Sequence, residues 1–190
     1  MAWITLDWVW LTAPAMNRVL LVLPLVAVAA CTANPAPGPA PTTPPETTTT
    51  ASPPAEAPPA PEPSADGPCP YLETEEVANA NGQRVGSVKT SDGDPPSCFF
   101  YRPDGSVQLT VRIYSGDEAA AKAVVDEAAP VDSSNPANAP AGWKGGSLAG
   151  DDGALYAVAK DGTAVVVSTN QEQTIKARRI TETVIKNLGL

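Results

Sequence analysis

The clearest pattern in the chain is the alternation from Val107 to Tyr114. Val107, Leu109, Val111 and Ile113 face one side, and Gln108, Thr110, Arg112 and Tyr114 face the other. A period of two is that of a strand with one face on a core. The short aromatic run Cys98–Arg102 precedes it across the turn residues Pro103-Asp104-Gly105, so the pair reads as a hairpin. A second hairpin follows later, with Ala154–Lys160 and Thr163–Thr169 flanking Asp161-Gly162. Its continuous Val165-Val166-Val167 suits a central strand covered on both faces. Arg84–Thr90 alternates weakly, and Trp143–Ala149 reads as a glycine-rich strand.

Helical periodicity fills the gaps. Asp117 caps a predicted helix running to Ala129, with Ala120, Val124 and Ala128 on one face. The last helix, Gln173 to Leu188, places Ala177, Ile180, Val184 and Leu188 along one stripe. A short helix over Glu75–Ala80 starts behind Thr74 and stops at Asn81-Gly82. Pro130 to Gly142 reads as an irregular loop. The order is αβββαβββα. Short connections make the pairing mostly antiparallel, and amphipathic helices need a sheet to cover. The fold class is therefore α+β, a single mostly antiparallel sheet with helices packed on it.

The amino-terminal third follows neither period. Val19–Ala30 is an apolar run behind Asn17-Arg18, too short to cross a bilayer of ~30 Å as a helix. Small residues then lead into Cys31, as in a secretory signal, so residues 1–30 are expected to be a signal peptide. Residues 1–15 hold Asp7 and no base, which makes Met16 the expected true start. Val28-Ala29-Ala30-Cys31 resembles the bacterial lipobox, in which a cysteine takes lipid at the cut. Lipid attachment at Cys31 would place the chain on the extracytoplasmic face of the cell membrane, lipid-anchored. Thirteen of the 22 prolines lie between Thr32 and Pro68. Such a stretch has too little apolar surface to offset ordering entropy, so residues 31–68 are expected to be the lipidated cysteine and a disordered linker, and 69–190 the globular domain.

Composition narrows the function classes. The chain has no histidine, which excludes Ser-His-Asp and Cys-His sites and every zinc site that needs histidine. Residues 69–190 carry 16 acids against 11 bases, so nucleic acid, which is held by phosphate neutralisation, is not an expected partner. With Cys31 taken by lipid, Cys69 and Cys98 are left as an even pair in an exported domain, where disulfides persist. The competing reading is two free buried thiols.

Four further stretches carry a resemblance. Cys69-Pro70-Tyr71-Leu72, Cys98 to Gly105, Ala129-Pro130-Val131-Asp132 and Gly142 to Gly146 resemble an actinobacterial lipoprotein domain family of unknown function. The Cys69 start and the cysteine that opens an aromatic strand are also similar to PsbP-like lipoprotein and sensor-domain modules. The resemblance implies an exported, disulfide-linked α+β module, and it brings no catalytic residue or cofactor.

Two binding surfaces are candidates. Trp143 and Lys144, among glycines, could form a binding lip, although a tryptophan in that setting more often anchors a loop. Gln108, Thr110, Arg112 and Tyr114 could form a sheet-face platform if no helix covers them. Lys176, Arg178 and Arg179 read as a solvated basic face, and Asp151-Asp152 as a turn. The expected function is a monomeric cell-envelope lipoprotein displaying a small binding or accessory domain for an envelope ligand or protein. The alternatives are an envelope hydrolase using a carboxylate pair, with Glu75, Glu76, Asp126 and Glu127 as candidates, and a structural envelope component. An apolar cavity near Trp143 would point to a small molecule. Two carboxylates ~5–9 Å apart across a cleft would point to a glycosidase-like enzyme.

Overall fold

The computed structural model of the protein describes residues 55–190. The expected signal peptide, Met16, Cys31 and the expected linker as far as residue 54 lie outside the described residues. Eight strands and three helices follow in chain order: β1 (Ala65–Asp66), α1 (Thr74–Asn81), β2 (Ser87–Thr90), β3 (Cys98–Tyr101), β4 (Val107–Ser115), α2 (Glu118–Ala128), β5 (Asn135–Ala137), β6 (Lys144–Gly150), β7 (Gly153–Lys160), β8 (Thr163–Thr169) and α3 (Thr174–Leu188). They form one antiparallel sheet in the order β1-β2-β3-β4-β8-β7-β6-β5, so the fold is α+β. Each meander, β1 to β4 and β5 to β8, is followed by a helix, and the two meet where β4 pairs with β8.

Two strands go beyond the pattern read from the sequence. β1 lies within the proline-rich stretch and pairs Ala65 with Thr90 and Asp66 with Lys89. Ordered structure therefore begins ahead of Cys69, and Ala55–Pro68 belongs to the domain rather than to the linker. β5, in the loop after α2, pairs with β6 as the opposite edge.

Both faces of the sheet are covered, by different amounts. On one face Phe100, Leu109, Val111, Val158, Val165 and Val167 pack with Val77 of α1 and Ala177, Ile180 and Val184 of α3. Each of these side chains is almost wholly buried, and those larger than alanine contribute roughly 1.5–3 kcal/mol apiece. The disulfide Cys69–Cys98 lies in this core and ties the segment ahead of α1 to β3. On the other face α2 stands alone, burying Ala121, Val124 and Val125 over Ala157, Ala164 and Val166. Its buried face therefore centres on Ala121, Val124 and Val125, one position on from the expected Ala120. Val166, between Val165 and Val167, points to α2, so β8 is covered on both sides as its continuous valines predict.

Tyr71 sits in the first core and donates a hydrogen bond to the Pro96 carbonyl at 2.7 Å. Burial pushes its phenol well above the ordinary value of 10.0. A raised folded value means that the contribution of Tyr71 is present below the unfolded value and is lost as pH climbs past it. Urea unfolding between neutral pH and about pH 11 should therefore show wild type losing stability more steeply than Tyr71→Phe. Parallel curves would contradict this burial.

Candidate functional site

The unequal covering of the sheet creates the candidate site. Eight strands at ~4.8 Å spacing make a sheet on the order of 35 Å wide, whereas one helix covers only ~10 Å. α2 lies over β7 and β8, leaving sheet on either side of it. On the β4 side the gap is filled by the chain itself. Ala57 packs against the α2 cluster, Arg112 donates through Nη2 to the Pro58 carbonyl, and its Nη1 lies 3.7 Å from Glu127 of α2. These contacts hold residues 57–59 as a strap across Arg112.

On the β6 side the gap stays open. A half-open cavity of about 380 Å³ lies between α2, the β5–β6 edge and the β7–β8 turn. Its apolar wall is Ala121, Val125, Ala129, Val131, Pro136, Gly145 and Ala159, and its charged rim is Glu118, Lys122, Asp126, Lys144, Lys160 and Asp161. Small residues set its depth. A Cβ at Gly145 would collide with the Ala157 carbonyl and come 2.9 Å from Val125, so only glycine lets α2 settle this close to β6. Gly146 plays the same part against Ala129, where a Cβ would come within 2.8 Å.

The expected binding lip divides between the two faces of the sheet. Neighbouring strand positions point to opposite sides. Trp143 is buried in the core with α3, which rules it out as a ligand surface and makes it an anchor, while Lys144 lies on the cavity rim. The expected platform is not a free surface either. Arg112 is held by the strap and Glu127, Tyr114 packs under α2 and accepts from the Asp117 N–H at 3.2 Å, and Thr110 is half-buried. Gln108 is only 1% exposed because the β3–β4 pairing slips at Phe100/Tyr101, leaving Gln108 without a register partner. A bulge re-aims its residue. The Gln108 Nε2 donates to the Arg84 carbonyl at 2.9 Å, and Asn81 Nδ2 donates to the Gln108 carbonyl at 3.1 Å.

The remaining sequence candidates also find places. Lys176 donates to the Asn81 carbonyl and to Gln171, and Arg178 pairs with Glu182, while Arg179 is exposed on the same helix. Asp151-Asp152 forms the β6–β7 turn. The four carboxylates do not converge: Glu76 closes the capping box of α1, Asp126 pairs with Lys122, Glu127 pairs with Arg112, and Glu75 lies in the first turn of α1. Of the cavity residues, sequence reasoning singled out Lys144 alone for binding. The paired glycines 145 and 146 in β6, with Gly146 opposite Ala157, are the signal that could have revealed a hollow beneath α2.

Residues 53–190 match the model of a domain of unknown function, DUF2020. The chain belongs to the DUF2020 family. The match starts ahead of β1 and includes the strap. No curated protein matches the chain.

Proposed function

We propose that the chain is a cell-envelope lipoprotein, held at the extracytoplasmic face of the membrane by lipid on Cys31, whose DUF2020 domain binds a small molecule with an apolar body. The cavity beside α2 carries the reading: it is predominantly apolar, open on one side, and within the ~300–1,000 Å³ typical of small-molecule sites. The Cys69–Cys98 bridge supports export, because disulfides persist outside the cytosol. The resemblance to actinobacterial lipoproteins and PsbP-like modules agrees with that placement. Residues 32–54, ahead of the strap, would then be the spacer between the anchor and the domain. The hydrolase alternative loses ground because Asp126 and Glu127 are each paired with a cation.

Two measurements test the proposal. Metabolic labelling with an alkyne-bearing fatty acid should mark the wild-type chain, and Cys31→Ser should lose the label and leave the membrane fraction. Retention of both by the variant would refute the anchor. The neutral fluorophore N-phenylnaphthylamine should bind the full chain at one saturable site. Ala159→Trp should abolish that binding, and Val131→Asp, at the exposed mouth, should weaken it while leaving the circular dichroism unchanged. Saturable binding that ignores both variants would place the ligand elsewhere.

A further inference from the structure

The cavity has two unlike ends. It runs along α2 from Glu118 to Ala129, about 16 Å at ~1.5 Å per residue, which makes it elongated. At the Ala129 end its walls are Ala129, Val131, Ser134 and Pro136. Lys160 and the Asp161-Gly162 turn close the other end. Gly162 accepts a hydrogen bond from the Gly116 N–H at 3.0 Å, just ahead of α2. Lys144 lies at the same end, because it is the first residue of β6 and pairs in register with Ala159, next to Lys160.

The charges at that end differ in what already engages them. Lys122 forms an ion pair with Asp126. Lys144 and Lys160 are exposed and form no ion pair among the described residues. Glu118 is the first residue of α2, where the positive end of the helix dipole offsets its charge, and Asp117 accepts the Ala120 N–H at 3.0 Å. Asp161 occupies the hairpin turn at φ 47° beside Lys160, and neither it nor Glu118 forms an ion pair among the described residues.

Resting on the cavity reading, we infer that the ligand is a single-chain amphiphile with an anionic head, its alkyl chain lying along α2 and its head between Lys144 and Lys160. Each methylene taken from water contributes ~0.8 kcal/mol, so an elongated apolar wall along α2 suits a straight chain. Hydrogen bonds between an ammonium and a carboxylate or phosphate are about twice as strong as neutral ones, which gives the head its register.

Three probes with the same tail separate the head from the chain. Dodecanoate, dodecanol and dodecylamine would each be titrated against N-phenylnaphthylamine bound to the full chain. Dodecanoate should displace the fluorophore at a concentration at least tenfold lower than either of the others. The double variant Lys144→Glu/Lys160→Glu should weaken dodecanoate at least tenfold and leave dodecanol unchanged. Dodecylamine binding as tightly as dodecanoate, or a double variant indifferent to the head, would overturn the inference while leaving the cavity reading intact. Failure of all three to displace the fluorophore would overturn both.

Discussion

Replacing Cys69 and Cys98 together by alanine should lower the free energy of unfolding by about 3–4 kcal/mol, the largest single effect expected in the domain. The bridge closes a loop of sequence separation 29 that contains α1 and β2, and so restricts the unfolded chain. It also has a folded-state role. Cys98 is fully buried in β3, one residue before the strand's paired phenylalanines, and Cys69 fixes the segment that leads from β1 into α1. Denaturant unfolding of wild type against the double variant measures the difference. A midpoint unchanged by the substitution would mean that the loop is already held by its other contacts, among them the Asn187 donation to the Tyr71 carbonyl at 3.0 Å.

The second large effect belongs to the buried polar junction around Asn81. Its Oδ1 accepts from the Thr169 hydroxyl at 2.8 Å, its Nδ2 donates to the Gln108 carbonyl at 3.1 Å, and its own carbonyl accepts from Lys176 at 3.1 Å. The side chain thus joins the end of α1 to the bulge of β4 and the end of β8, and the backbone carbonyl of the same residue adds the first turn of α3. Asn81→Ala takes the acceptor from the buried Thr169 hydroxyl and one of two donors from the Gln108 carbonyl, which keeps the Asn170 N–H at 3.0 Å. A loss of about 1–3 kcal/mol is expected, the cost of one buried group left without its partner. A cycle with Thr169→Val should be non-additive by about 0.5–1.5 kcal/mol, because both variants break the same bond. Strict additivity would show that the two side chains do not depend on one another.

Much of this architecture was legible where burial is periodic. The alternation of Val107–Tyr114, the triple valine of β8 and the stripe of α3 each follow from one face, or two, lying on apolar neighbours. The paired cysteines were legible by elimination. β1 and β5 were not, because each is two or three residues long and is held by backbone pairing to a distant strand. Pro136 in β5 argues locally against a strand and is accommodated at the sheet edge. Gln108 misled for a definite reason: alternation alone puts it on the polar side with Arg112, and a one-residue slip against β3 carries it into the core. Trp143 and Lys144 misled together, since a single surface was expected from two residues that strand geometry sends apart. The cavity was least legible of all. It arises from a shortage of helix on one face of a wide sheet, a property of the whole layer that no single segment carries.

That shortage also explains why the strap and the cavity belong to one account. α2 is flanked on one side by chain that the protein supplies and on the other by a gap that it does not fill. Amide chemical-shift mapping of the isotope-labelled full chain, titrated with dodecanoate, tests this most directly. Saturable shifts are expected along α2 from Glu118 to Ala129, at Lys144–Gly146 and at Ala159–Gly162, with α1 and α3 unmoved. Shifts centred on α1 and α3, or none that saturate, would contradict it.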